Sequence, residues 1–279
     1  MTKKDFIIKK NNDGSVITVR DVQEVLLNML IDIDKICRDN HIDYILEGGT
    51  ALGAVRHGGF IPWDDDLDIA MMRDDYNRFV KVLEKSLPDE YVFHCFEKNK
   101  KYNVTIPAMK IRKKNTYIKE KNNLLPNKCK DSDGLFIDIF ILDHVSKCKV
   151  VDVLFRIVNT ILMFIINIFE NIKINPIPLK YLYIGIAKFY GWINKRTKYI
   201  GLDLTWTFIN PFKAQIFKYS DVYPVKDIKF ENRKFLMANN PNEFLKTDIG
   251  ADFMTLPPEE KRVPKHTADV NLYGPNSQK

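Results

Sequence analysis

The chain has 279 residues, 45% hydrophobic and 28% charged, with a formal net charge of +7. That length gives one large domain or a core with a sizeable insert, and neither repeats nor low-complexity segments interrupt it. The basic opening, Met1 to Phe6, lacks a following apolar run of signal-peptide length, and Cys37, Cys95, Cys129 and Cys148 lack Cys-x-x-Cys or disulfide-like spacing. An exported or disulfide-stapled protein is therefore not expected, and the cytoplasm is the default location.

The first predicted element is a helix that Thr18 can cap, with Val22, Val25, Leu26, Met29, Leu30, Ile33, Ile36 and Cys37 on one apolar stripe and Asp39-Asn40 at its end. A strand over 43–47 follows and runs into Gly48-Gly49-Thr50, a glycine turn that reopens on small helix-forming residues. Such a turn lets backbone approach an anion closely, and the amides after it can bind phosphate.

Next comes Ile61-Pro62-Trp63-Asp64-Asp65-Asp66-Leu67-Asp68-Ile69, four carboxylates in five residues flanked by large apolar side chains. In an extended chain Asp64, Asp66 and Asp68 project to one side and Asp65 and Leu67 to the other. Three carboxylates at close range repel one another, and an all-oxygen set on an open edge suits Mg²⁺ or Mn²⁺. The alternative is a solvated acidic loop. The strand is expected near 65–71, before an amphipathic helix from Arg73-Asp74-Asp75 through Tyr76, Phe79, Val80 and Leu83 that stops short of Pro88.

Strands are expected over 91–96 and 104–112. Between 98 and 130 lie Lys98, Lys100, Lys101, Lys110, Arg112, Lys113, Lys114, Lys119, Lys121, Lys128 and Lys130 against Glu120 alone. A solvated loop, a phosphate-rich acceptor or membrane surface, and nucleic acid are the readings of such a run. No DNA-binding motif and little aromatic interleaving accompany it, so nucleic acid is not expected as a partner. The run Gly134 to Asp143 is a strand in which Asp138 interrupts apolar residues. A carboxylate there is paired with a neighbouring group or completes a metal site from an adjacent strand.

The most hydrophobic stretch, 150–169, approaches a membrane span in length but contains Asp152, Arg156, Asn159 and Asn167. A second stretch, 181–193, mixes aromatics with Lys188 in the manner of an interfacial helix. A buried helical hairpin and shallow membrane contact are equally weighted readings.

The glycine turn, the Asp-x-Asp pair and the lone strand Asp together resemble the nucleotidyltransferase superfamily that includes DNA polymerase β. The stretch from Ile42 to Phe79, above all Arg56-His57-Gly58-Gly59-Phe60-Ile61-Pro62-Trp63-Asp64-Asp65-Asp66-Leu67-Asp68-Ile69, more closely resembles the LicD family. That family includes bacterial phosphocholine transferases and is related to the fukutin group. The likeness resumes at Tyr223-Pro224-Val225-Lys226 and Leu256 to Arg262. It implies an α+β fold: a polymerase β-like mixed-sheet core over 1–144, flanked by helices, a hydrophobic helical insert over 145–220, and a segment over 221–279 that packs back on the core.

By this resemblance the enzyme is a CDP-choline-dependent phosphocholine transferase, or uses another CDP-alcohol, with a hydroxyl of a lipopolysaccharide, teichoic acid or capsule precursor as acceptor. Asp66, Asp68 and Asp138 would hold Mg²⁺ (or Mn²⁺), with Asp64 a further ligand or an orienting group. One of these carboxylates could also act as base. Gly48, Gly49 and Thr50 would hold the donor phosphates, and Arg56 and His57 the departing nucleotide phosphate. Trp63, Trp192 and Trp206 are among the aromatics available for a choline cage. Peripheral contact with the inner face of the membrane is the matching expectation. The alternatives are a nucleotidyltransferase moving NMP from an NTP, and a non-catalytic membrane-associated assembly protein.

Overall fold

The computed structural model describes residues 6–121, 129–131, 133–206 and 210–273. In chain order these form β1 (Ile7–Lys10), β2 (Val16–Thr18), α1 (Val19–Asp39), β3 (Ile45–Leu46), α2 (Gly48–His57), β4 (Asp68–Met72), α3 (Arg73–Ser86) and β5 (Tyr91–Cys95). There follow β6 (Met109–Lys113), β7 (Tyr117–Glu120), β8 (Phe136–His144), α4 (Lys149–Asn171), α5 (Ile177–Ile193) and β9 (Tyr199–Leu202). The last are β10 (Phe217–Lys218), α6 (Tyr219–Val222), β11 (Lys226–Phe230), β12 (Arg233–Met237), α7 (Pro241–Asp248) and β13 (Thr267–Asn271). The fold is α+β around a mixed sheet.

Local chemistry sets the helix ends. Thr18 and Asp21 form a reciprocal capping box at α1, the Thr18 amide donating to Asp21 Oδ2 at 2.7 Å and the Asp21 amide to Thr18 Oγ1 at 3.3 Å. The predicted stripe of α1 is its buried face, apart from the partly buried Val25, and α1 packs on β8 and α3. Tyr76, Phe79, Val80 and Leu83 do the same for α3. At the start of α3 the Arg73 guanidinium bridges Asp143 at the end of β8 and Asp203 just after β9, the latter at 2.6 Å. Its two carboxylate partners hold Arg73 firmly in its charged form despite burial.

The longest strand, β8, organises the seven-stranded sheet. One edge pairs in parallel with β4, which pairs in turn with β3; the other edge pairs antiparallel with β6 over its first half and with β9 over its second. In this register Asp138 lies opposite Asp68 on one side and Lys110 on the other. Opposed residues project to the same face, so the sheet sets Asp68, Asp138 and Lys110 in one row.

Several boundaries differ from expectation, the strand expected over 43–47 being confined to Ile45–Leu46. The strand expected near 65–71 begins at Asp68, because residues 64–67 are irregular and tied down by other elements. The strand expected over 104–112 is confined to 109–113; before it, Asn103 Oδ1 accepts the amide and hydroxyl of Thr105 in a buried turn, and Tyr102 donates its hydroxyl to the Pro107 carbonyl. The stretches 150–169 and 181–193 lie within α4 and α5, which pack together as a helical hairpin.

Candidate functional site

The acidic loop between α2 and β4 is clamped from both ends of the chain. Gln23 of α1 donates its side-chain amide to the carbonyls of Ile61 (2.9 Å) and Asp64 (2.8 Å). Asp65, only 2% exposed, accepts backbone amides from Lys265 (3.1 Å), His266 (3.1 Å) and Thr267 (2.7 Å). This contact fixes the chain entering β13, and pairing of β13 with β7 completes the placement. Its consequence is that His266 reaches the acids: His266 Nε2 is 3.1 Å from Asp66 Oδ2, and Asp64, Asp66 and His266 each offer a ligand atom, all within 4.8 Å of one another.

Asp68 opens β4, its amide donating to Thr50 Oγ1 at 3.0 Å. The neighbouring Asp138 is met by Lys110, whose ammonium lies 2.9 Å from Asp138 Oδ1, 3.6 Å from Glu120 Oε2 and 3.4 Å from the centre of the Phe136 ring. Burial raises the pKa of all four acids, Asp64, Asp66, Asp68 and Asp138. Mutual repulsion pushes Asp64 and Asp68 further up, whereas His266 opposes the rise at Asp66 and Lys110 at Asp138. Glu47 at the mouth of α2 is raised as well, by burial and then by Asp248. The site thus concentrates more negative charge than its local cations offset.

The glycine pair lies against the same acids. Gly48 has φ +52°, and a Cβ at Gly49 would come within 2.6 Å of Asp64 Oδ2. No side chain caps α2 at Glu47, so the amides of its first turn and the positive end of its dipole face the carboxylates.

The expected substrate residues fall into two groups. Gly48, Gly49 and Thr50 adjoin the acids, although the Thr50 oxygen is engaged by Asp68, leaving the hydroxyl proton to offer. Arg56 and His57 occupy the last turn of α2, roughly 12 Å along the axis from Gly48. Arg56 already donates to the carbonyls of Phe253 (3.0 Å) and Thr255 (3.2 Å). Burial, and then the Arg56 charge, lower the His57 pKa and favour its neutral form. His57 also borders a cavity of about 420 Å³ lined by Arg20, Gln23 and Glu231.

Among the tryptophans, Trp63 sits beside the acids, edge-on to His57 and under the Arg262 guanidinium at 5.7 Å. Trp206 packs on Phe140, and Trp192 is exposed on α5. The basic run resolves into unlike parts: Lys110 and Arg112 are buried and paired with Asp138 and Glu120, Lys98 and Lys113 pair with Glu84 and Glu90, and Lys128 lies outside the described residues.

Lys110, His266 and Glu47 had not been singled out from sequence as site residues. Lys110 left a signal, since Met109-Lys110-Ile111-Arg112 alternates as a strand with its cations on one face. His266 left none, being some two hundred positions from Asp66.

A family profile described as the nucleotidyltransferase domain of LicD, FKTN and FKRP matches residues 41–156. The lipopolysaccharide cholinephosphotransferase LicD of Haemophilus influenzae is 30% identical over 92% of this chain and 98% of its own length. Ribitol 5-phosphate transferase FKRP of human and of mouse is 53% identical over 34 residues, 12% of this chain and 7% of theirs. A match spanning nearly both full lengths, together with a profile match that covers the glycine turn and all four acids, places this chain in the LicD family.

Proposed function

We propose that this protein is a divalent-metal-dependent transferase with a polymerase β-like nucleotidyltransferase core, moving phosphocholine or a related phospho-alcohol from a CDP-linked donor to a hydroxyl of a cell-surface glycan precursor. The observation that carries the reading is the meeting of Asp64, Asp66, Asp68 and Asp138 with the uncapped first turn of α2, in a chain collinear with a cholinephosphotransferase. The FKRP match supports a donor class defined by its phospho-alcohol linkage, with the head group free to vary.

The residues fit a hard divalent cation. Buried carboxylates with raised pKa values and too few neighbouring cations are a donor set awaiting positive charge; the carboxylate oxygens suit Mg²⁺ or Mn²⁺, and a nearby imidazole favours Mn²⁺ of the two. Asp66, Asp68 and Asp138 would hold the ion, Asp66 belonging also to the Asp64–Asp66–His266 set whose ligand atoms lie within 4.8 Å of one another. When bound, the metal supplies Lewis-acid neutralisation of charge developing on the transferred phosphoryl oxygens.

The remaining work belongs to the chain. The amides of Gly48 and Gly49 orient donor phosphate at the helix N-terminus, where the missing Cβ of Gly49 leaves room beside Asp64. Lys110 holds Asp138 in place and limits repulsion across the Asp68–Asp138 pair. His266, its Nε2 at 3.1 Å from Asp66, orients that carboxylate, and one of the site carboxylates would take the acceptor hydroxyl's proton. Trp63, next in the chain to Asp64 and already under the Arg262 guanidinium, is a candidate face for a cationic head group.

The test is incubation of the purified chain with Mg²⁺, a panel of CDP-alcohols and NTPs, and a membrane glycolipid extract, with products read by mass spectrometry. Extract-dependent CMP release from CDP-choline or another CDP-alcohol is expected. Pyrophosphate release from an NTP would instead favour nucleotidyl transfer, the activity that the family profile's description suggests.

A further inference from the structure

The polarity of α4 is inverted relative to a helix of a water-soluble protein. Its buried side carries Asp152, Arg156, Asn159 and Glu170 alongside Met163 and Ile166, while Leu154, Val158, Ile161, Phe164 and Ile168, and Ile172 just past its end, are exposed, Phe164 by 61% and Ile168 by 62%. An amphipathic helix on a protein surface ordinarily turns its apolar stripe inward. Here the polar side chains are used internally: Arg156 pairs with Asp152 at 2.9 Å, Asn159 donates to the Leu204 carbonyl at 3.0 Å, and Glu170 meets Lys180 at 2.6 Å. The neighbouring α5 adds Leu182, Phe189, Trp192 and Ile193 to the exposed apolar surface.

Charge separates the occupants this surface could take. Between residues 145 and 200 the two acids, Asp152 and Glu170, are buried, and every exposed charged side chain is Lys or Arg. Lys147 and Lys149 precede or open α4, Lys173 follows it, and Lys188, Lys195 and Arg196 lie on or just after α5. Two cavities of about 570 and 560 Å³ border the hairpin's end, one lined by Lys147, Lys149 and Lys213 with Asp152, the other by Lys188, Lys195 and Arg196 with Asp74 and Asp143. A second copy docked two-fold on this stripe would set like charges against each other. Apolar residues rimmed by cations, of which Lys188 is met by Glu97 at 3.6 Å, match the acyl boundary and headgroups of an anionic bilayer.

We propose that α4 and α5 form an in-plane anchor for an anionic phospholipid surface, the α4 stripe entering the acyl boundary and the flanking cations meeting lipid phosphates. With 23 residues α4 is long enough and apolar enough to cross a membrane. Crossing would part Asn159 from the Leu204 carbonyl and carry the Asp152–Arg156 and Glu170–Lys180 ion pairs into hydrocarbon, so the helix lies on the bilayer with its polar side kept on the protein.

Co-sedimentation of the full chain with vesicles tests this without donor or acceptor, so its outcome is independent of the transferase reading. Vesicles of phosphatidylcholine with about 30% phosphatidylglycerol should capture the chain, pure phosphatidylcholine should capture it at least about tenfold less, and added salt should weaken capture. An Ile161→Glu/Ile168→Glu variant should lose capture about tenfold or more while its circular dichroism and melting temperature stay unchanged, both positions being exposed. Lys147→Glu/Lys149→Glu should weaken capture by the anionic vesicles alone. Three results would overturn the proposal: no capture by either vesicle, equal capture by both, or a native dimer that ignores vesicles and becomes monomeric in the Ile161→Glu/Ile168→Glu variant.

Discussion

At the scale of the residue, the four site acids are not equivalent, because their surroundings differ. Asp66 faces repelling carboxylates and one histidine, whereas Asp138 has the ammonium of Lys110 at 2.9 Å. Asp66→Asn should lower transfer by about a thousandfold or more through loss of a metal ligand, with the melting temperature unchanged or raised as repulsion is relieved. Asp138→Asn should lose activity equally but gain less stability, since it also takes away the closer partner of buried Lys110. Parallel activity assays and thermal melts separate the two effects. Lys110→Met should do the reverse: the metal-free protein should lose about 3 kcal/mol, because Asp138 and Asp68 then face each other without a cation. Denaturant titration with and without Mn²⁺ measures that loss, and the metal should restore most of it.

At the scale of the element, periodicity was legible and register was not. The stripes of α1 and α3 are visible because one side of each helix meets one core, and Thr18 with Asp21 announces a helix start by chemistry alone. The lone Asp138 in an apolar strand marks a candidate site residue, yet nothing in the segment states that β8 pairs with β4 and β6 at once, which is what brings Asp68 and Lys110 to its sides. The same limit hid His266, delivered by amides that Asp65 holds from the far end of the chain. In α4 the residues that looked like interruptions, Asp152, Arg156 and Asn159, are the buried face, a choice made by partners on α5 and after β9.

The contact of α2 with α7 brings a second carboxyl pair into play. Asp248, at the end of α7, is raised by burial to about 6, and each of Asp248 and Glu47 has a buried oxygen without a hydrogen-bond partner. An acid with a raised folded-state pKa keeps its proton where the unfolded chain has released it. Its contribution to stability is therefore complete below the ordinary carboxylate range and is lost as pH rises through about 6. Asp248→Asn should escape that loss, so its stability relative to the native chain should rise by up to about 3 kcal/mol between about pH 4 and pH 7. Melts of both proteins across that interval check the sign; a difference that stays flat would refute it.

At the scale of the whole molecule, the sheet gathers negative charge at one place and the α4–α5 hairpin exposes apolar and positive surface at another. The first arrangement predicts that Mg²⁺ or Mn²⁺ stabilises the folded chain, by about 2.7 kcal/mol at a hundredfold excess over the dissociation constant, seen as a concentration-dependent rise in melting temperature. That rise should disappear in Asp66→Asn. The central claim is that this acid cluster moves a phospho-alcohol, and it is tested most directly by measuring CMP release and phosphoester gain on the glycolipid acceptor together, in the native chain and in Asp66→Asn, with Mg²⁺ and with a chelator. Equal amounts of the two products, seen only in the native chain with metal, is the predicted result. Transfer that persists in Asp66→Asn or in the chelator would contradict the account.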